Sequence, residues 1–463
     1  MDPANTCAWA AFHRPDRCTP YQQLTSVYKS ICSTILLVFF FTYSEAVAKG
    51  PRIQPSETFF MLGSGCLASG DLNCAIAQYT KALKARAKFA EAYVNRGRAY
   101  EASGEIRKAG EDYDRAIAIN PRMAAAYNNR AILRFDGKDL NGAVADLDKA
   151  IELNPNLAAA YYNRGRLRAS TGDIRGAIAD YDAAIPRFPR LLTGEFTLSV
   201  RNPNQACAYN ARGVARQESG DLDGAIADFT KAIEIDPRLA EAYNNHGNIL
   251  LMQRSVDGAM TDFNTSISIN PGVAGVYCNR GKARQVKGDL SGAIEDYCKA
   301  LNADPSYAAA YLARGNIHYR QGELDSAMAD FESVIRFNPK ASGAFNNRGL
   351  VWEAKGELDK AMSDFSEAVR ISPSFGEAYS NRGRVLQSIG DFDAAVSDLT
   401  RAAEIHPADP MNYLIRGFAL LYQGRDDEAH KDFEKSLSLG QHIKAFLEAR
   451  IRSILSQRKT LLP

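Results

Sequence analysis

Signatures of catalysis are scarce in this chain. Its six histidines (His13, His246, His318, His406, His430 and His442) are scattered, with no His-x-x-x-His or His-Glu-x-x-His run. No Gly-rich phosphate loop and no Gly-x-Ser-x-Gly elbow occurs. Eight cysteines form no Cys-x-x-Cys pair, which removes the basis for zinc and thioredoxin-like readings. An excess of one charge is missing too: 56 Lys and Arg stand against 54 Asp and Glu, a formal net charge of +2. A nucleic-acid surface would need a clustered basic excess. No cofactor, metal or nucleic acid is expected, and the chain does not read as an enzyme.

Long apolar runs are also absent. The longest candidate, residues 31–43 (ICSTILLVFFFTY), has thirteen residues, and a bilayer-spanning helix needs about 20. It matches the apolar region of a secretory signal peptide, with Arg14, Arg17 and Lys29 upstream and the small-x-small pattern Ala46-Val47-Ala48 after it. The expectation is cleavage after Ala48 and export, to a periplasm or outside the cell. The alternative is a retained segment that anchors the protein at a membrane, or a cytoplasmic protein. After cleavage five cysteines remain, in a compartment where disulfides persist. Cys66 and Cys74 flank the expected turn of the first hairpin and are either a pair or two free thiols.

What is abundant is repetition. An aromatic anchor recurs every 34 residues at Phe59, Tyr93, Tyr127 and Tyr161, and again at Tyr209, Tyr243, Tyr277, Tyr311, Phe345, Tyr379 and Tyr413. Eleven units result. Four residues after the anchor stands Gly in ten units, with Ala131 the exception, and sixteen after it stands Ala in all eleven. Small residues there let two helices approach. Twenty after it is a large apolar residue such as Tyr113, Phe229 or Leu399, a filler between helices. Eleven after it is Gly in nine units, suited to ending a helix at positive φ. Lys138 and Arg254 break that rule, so their turns are expected to be strained or differently shaped. Pro closes nine units. The organisation is 1–48 signal peptide or anchor, 49–55 linker, 56–189 units 1–4, 190–205 inserted loop, 206–440 units 5–11, and 441–463 capping helix and tail. The insert holds an alternating, strand-like stretch from Glu195 to Val200; it is either a short hairpin or an irregular loop. In the tail, Ile443, Phe446, Leu447, Ile451, Ile454 and Leu455 share one helical face, which reads as a cap over the last unit.

Over residues 56–440 this pattern resembles the tetratricopeptide repeat family, in its Tyr-x-Asn-Arg-Gly…Gly-Asp…Ala-Ile-x-Asp-Tyr form. The resemblance implies an all-α fold: two antiparallel helices per unit, stacked into a right-handed superhelical solenoid with a concave inner groove. It also implies a scaffold for protein or peptide partners. A membrane-anchored assembly factor of a multiprotein complex is the alternative.

Two polar columns run through the repeat. Three residues after the anchor is Arg in nine units, including Arg96, Arg130 and Arg348. At about 100° per residue it lies on the anchor's side of the helix, where a charge needs a partner. Nineteen after the anchor is Asp in ten units, including Asp112, Asp146 and Asp364. Unit 1 has Leu62 and Gln78 instead, so both charges vanish together. The columns read as an internal ladder tying the two helices. Two after the anchor is Asn in seven units: Asn95, Asn129, Asn163, Asn245, Asn279, Asn347 and Asn381. Asn is a poor interior helix residue, and its amide both gives and takes hydrogen bonds, as an extended peptide requires. The resemblance places this column in the inner groove. Five after the anchor the residue varies, and its basic members Arg98, Arg166, Lys282 and Arg384 lean the groove toward acidic or C-terminal carboxylate groups.

Overall fold

The computed structural model describes residues 54–188, 203–440, 447 and 450–454. The expected leader, residues 49–53 of the linker, and residues 189–202 with the strand-like stretch lie outside the described residues. Among the described residues all regular structure is helical. The chain forms two compact bodies, one ending at Pro271 and one beginning its repeats after Gly272.

The first body holds α1 (Pro55–Ser69), α2 (Leu72–Ala85), α3 (Ala90–Ala102), α4 (Ile106–Ile119), α5 (Ala124–Asp136), α6 (Leu140–Leu153), α7 (Ala158–Ser170) and α8 (Ile174–Ala184). A 3₁₀ turn (Ile185–Arg187) follows, then α9 (Pro203–Ser219), α10 (Leu222–Ile235), α11 (Ala240–Met252) and α12 (Val256–Ile269). The second holds α13 (Ala274–Val286), α14 (Leu290–Ala303), α15 (Ala308–Arg320), α16 (Leu324–Phe337), α17 (Ser342–Ala354), α18 (Leu358–Ile371), α19 (Gly376–Ile389), α20 (Phe392–Ile405), α21 (Pro410–Tyr422) and α22 (Asp426–Leu439). Each odd helix pairs with the even helix after it, and each pair is one 34-residue unit. This is the all-α hairpin solenoid expected from the repeat. Two boundaries differ from expectation. Residues 203–205 belong to α9 rather than to the loop, and Pro55 opens α1 rather than closing the linker. Proline suits the first helical turn, whose N–H groups have no intrahelical acceptor.

The turn within each hairpin follows from two adjacent residues. Nine glycines, from Gly70 to Gly424, take φ between 77° and 89° and stop the first helix. In five of these units the next residue is Asp (Asp71, Asp173, Asp221, Asp289, Asp391), and in a sixth Asp139 follows Lys138; each carboxylate accepts a backbone N–H of the second helix at 2.9–3.1 Å. Lys138 and Arg254 occupy the glycine position with φ of 64° and 63°. Their turns keep the common shape, at about 1–2 kcal/mol of left-handed strain each.

Packing explains the invariant small residues. The Ala sixteen after the anchor is fully buried in every unit, from Ala75 to Ala429. A Cβ at Gly97 would lie 2.6 Å from the Tyr113 ring, and one at Gly417 2.5 Å from that of Phe433. Unit 3 carries Ala131 instead, and there the facing residue is Leu147, which has no ring. At the C-terminal end Leu447 and Ile454 are buried against Leu414, Phe418, Leu421 and Phe433. Their spacing of seven repeats that of Ala126 with Leu133 and of Ala160 with Leu167. The described part of the tail thus carries the packing face of a first helix. Ile443, Phe446 and Leu455 lie outside the described residues.

Candidate functional site

The polar columns form three layers on the first helices. The deepest is the arginine layer. Arg96 forks onto Asp112 at 2.8 Å through both Nε and Nη2. Arg130 meets Asp146 at 2.8 and 2.6 Å, and Arg348 meets Asp364 at 2.8 and 2.7 Å. The same fork joins Arg164–Asp180, Arg212–Asp228, Arg280–Asp296, Arg314–Asp330, Arg382–Asp398 and Arg416–Asp432. In unit 6 the His246 ring meets Asp262 at 2.7 Å. The aspartates are buried or nearly so, and Asp296 is fully enclosed. Each of the nine guanidiniums also lies over its own anchor ring at 5.3–5.7 Å, a cation–π contact that couples the two columns. In unit 1 the replacing Gln78 leaves its Oε1 buried without a partner.

Sequence reasoning missed the third arm of this arginine. Nη1 of Arg130 reaches Asp114 of the preceding unit at 2.7 Å, Arg164 reaches Asp148 at 2.7 Å, and Arg212 reaches Asp182 at 2.5 Å. Elsewhere the acceptor is Thr80, Cys298, Ser366 or Thr400, at 3.1–3.2 Å. These acceptors stand twenty-one residues after the anchor, a column that is polar in every unit though its residue type changes. The ladder therefore joins consecutive units as well as the two helices of one unit. Hydrogen bonds to Asp146 and Asp114, and to Asp180 and Asp148, hold Arg130 and Arg164 well above the ordinary guanidinium range. Four aspartates bear a second arginine: Arg134 on Asp146, Arg168 on Asp180, Arg216 on Asp228 and Arg284 on Asp296, at 2.8–3.2 Å.

The asparagine layer lies above it, half-buried. Its amides bond across units. Asn163 donates to Asn128 at 2.9 Å, Asn245 to Asn210 at 3.1 Å, Asn381 to Asn346 at 2.9 Å and Asn347 to Asn316 at 2.8 Å. Asn128 in turn donates to Asn129 at 3.1 Å, and Asn346 to Asn347 at 3.2 Å. One amide hydrogen of Asn163 is thus spent inside the protein, and a primary amide carries two. Asn95 accepts from Arg98 at 3.4 Å, and Asn279 lies half-buried at the same register.

The outermost layer is the variable one. Arg384 is ion-paired with Glu353 and also donates to Asn381 at 3.2 Å. Arg98 acts electrostatically on Glu101, and Arg166 on Asp136. Three of the four basic groove residues therefore already face carboxylates, which weakens the lean toward acidic ligands. Lys282 is half-buried. The carboxylates come from eight or nine residues after the anchor, columns the sequence reading did not weigh. Burial pushes the Glu101 carboxyl up, against the hydrogen bond that the Tyr113 hydroxyl donates to it at 2.7 Å, and nearby Asp136 adds to the rise. Partial enclosure raises Asp136 and Glu218 as well, although both keep open surface.

Cys66 and Cys74 are joined as a disulfide with their Cα atoms 5.7 Å apart, across the turn between α1 and α2. Among the described residues no group of three His, Cys, Asp or Glu side chains could hold a metal ion. No helix of the described residues is long and apolar enough to cross a membrane.

Models of the tetratricopeptide repeat match residues 90–123, 308–340, 329–374 and 376–409, and a TPR repeat model matches 133–172, 215–254 and 286–322. No curated protein matches the chain. Among solved structures, MamA is 27% identical over 35% of this chain and 94% of its own, with a TM-score of 0.33. YrrB, described as a TPR protein with an unusual peptide-binding site, is 24% identical over 44% of this chain and 98% of its own, with a TM-score of 0.34. Yeast Tom70 is 17% identical over 87% and 96%, with a TM-score of 0.40. With the 34-residue period, the hairpin in every unit and the matched spans agreeing, the chain belongs to the tetratricopeptide repeat family.

Proposed function

We propose that this protein is a non-catalytic scaffold that holds an extended polypeptide segment along the inner face of its first helices. The observation that carries the reading is the separation of the layers. Arginine and aspartate spend themselves on the fold, while the half-buried asparagines and the variable column above them keep exposed polar surface. A constant frame under a changing surface suits recognition of one segment among many. Photo-crosslinking side chains at Arg166 and Lys282, compared with Lys149 and Lys231 on the second helices, test it. The inner positions should capture polypeptide and the outer ones should not. Equal capture from both faces would sink the groove reading. Export after cleavage at Ala48 belongs to the same proposal and rests on residues 31–48. N-terminal sequencing of the cell-purified protein should begin at Lys49. An intact Met1 with retention in the membrane fraction would favour the anchored assembly factor instead.

A further inference from the structure

The inner face of the first body has one place where polar groups are left over. In three units the tyrosine twenty after the anchor sends its hydroxyl to a groove side chain. Tyr79 bonds Ser64 at 3.1 Å, Tyr113 donates to Glu101 at 2.7 Å, and Tyr297 donates to Gln285. Tyr181 stands at the same register in α8 and is 2% exposed. The groove residue that would answer it is Ala169, which offers no polar atom. Tyr181 makes no hydrogen bond to a described residue; its ring lies 5.9 Å from that of Tyr162, and the charges of Arg166, Asp180 and Glu218 act on it. The described residues that seal an unpartnered polar atom are Gln78 and Asn412, so the Tyr181 hydroxyl still reaches solvent, where a ligand atom can meet it.

Glu218 is the second leftover. It forms no ion pair with a described residue, and it lies near enough to Tyr181 to act on it electrostatically. Arg166 does not satisfy it, because that cation faces Asp136 and lies over the Tyr162 ring at 6.0 Å. Glu101 and Asp136 continue the acidic line on α3 and α5, with Arg98 their neighbouring cation. Three carboxylates against two guanidiniums leave this stretch net negative. A bound ammonium or guanidinium would meet a phenolic oxygen able to accept, a carboxylate to neutralise it and two aromatic rings 5.9 Å apart beside it.

We infer that the inner face between Glu101 and Glu218 takes a basic polypeptide segment, one of whose Lys or Arg side chains seats against Tyr181 and Glu218. This rests on the groove reading above and narrows its partner to one of positive charge. Three fluorescein-labelled decapeptides of matched composition provide the test, carrying three lysines, three glutamates or three serines as their only variable residues. Fluorescence anisotropy of the full chain at about 0.15 M salt should show the lysine peptide binding at least roughly tenfold tighter than the glutamate peptide. Glu218→Gln and Tyr181→Phe should each weaken the lysine peptide by about threefold to tenfold. Asp359→Asn, an equal charge change on an exposed turn of the other body, should leave it unchanged. Tighter binding of the glutamate peptide overturns the cationic partner and leaves the groove reading standing. Equal loss from Glu218→Gln and Asp359→Asn also overturns it, since the attraction is then non-specific. Binding of none of the three peptides removes the groove reading itself.

Discussion

The sharpest consequence of the ladder concerns Arg348 and Asp364. The fork is bidentate at 2.8 and 2.7 Å, the Asp364 side chain is 7% exposed and the Arg348 side chain 22%. Removing one partner of a fully buried pair costs about 3–5 kcal/mol. Water still reaches this guanidinium, so the figure is discounted and becomes unequal for the two partners. Arg348→Leu strands a buried carboxylate and should cost about 2–4 kcal/mol. Asp364→Leu strands a guanidinium that can turn to solvent and should cost about 1–3 kcal/mol. The double variant leaves neither charge stranded and should recover about 2 kcal/mol of the summed losses. Repeat arrays lose two-state behaviour, so hydrogen exchange of α17 and α18 is the assay, with urea unfolding by circular dichroism beside it. A coupling energy below about 0.5 kcal/mol would refute the reasoning, because the pair would then behave as a surface contact.

Three other perturbations follow. Lys138→Gly and Arg254→Gly release left-handed strain and should each stabilise by about 0.5–1 kcal/mol after the flexibility that glycine adds; a lowered unfolding midpoint would contradict the strain. Gly97→Ala drives a methyl into the Tyr113 ring and should cost about 1–3 kcal/mol, whereas Ala131→Gly opposite Leu147 should cost no more than about 1 kcal/mol, as urea titrations would show. Glu101→Gln keeps an acceptor for Tyr113, as Gln285 does for Tyr297, and removes a carboxylate whose folded pKa is raised by burial. It should stabilise at neutral pH, and the advantage should shrink as pH falls through that raised pKa and vanish below about 4, where Glu101 is protonated in both states. An advantage that grew in acid would reverse the assignment.

The parts of this structure that were legible in the sequence share a property: each is an interaction closed within one unit. The hairpin turn is Gly followed by Asp, and the Arg–Asp fork spans sixteen residues. The joint absence of both charges in unit 1 points to the fork because the two columns change together. Interactions between units left weaker traces. The Asn163–Asn128 bond links two different columns of successive units, so no single column reveals it. The acceptor column that receives Nη1 keeps its polarity while switching among Asp, Thr, Ser and Cys, and a search for identical residues passes over it. The conformation of Lys138 was hidden for the opposite reason. A missing glycine suggests a different turn, yet the common repeat pattern on either side of Lys138 goes with a left-handed backbone there too, at φ 64°.

The varying acceptor column has a consequence for how firmly successive hairpins hold together. Arg130, Arg164 and Arg212 each bind a carboxylate of their own unit and another of the unit before. Arg382 and Arg416 bind a carboxylate of their own unit but only a hydroxyl of the unit before. A charge-assisted bond at 2.7 Å is roughly twice as strong as one to a neutral acceptor. The carboxylates at Asp114 and Asp148 are more than half exposed, so salt screens that part of the bond. The junctions entering units 3, 4 and 5 should therefore open more readily as ionic strength rises, while those entering units 10 and 11 should hardly respond. Hydrogen exchange of α5, α7 and α9 against α19 and α21, at low and high salt, reads the difference directly. An equal response at all five junctions would mean that apolar packing alone sets the coupling between hairpins.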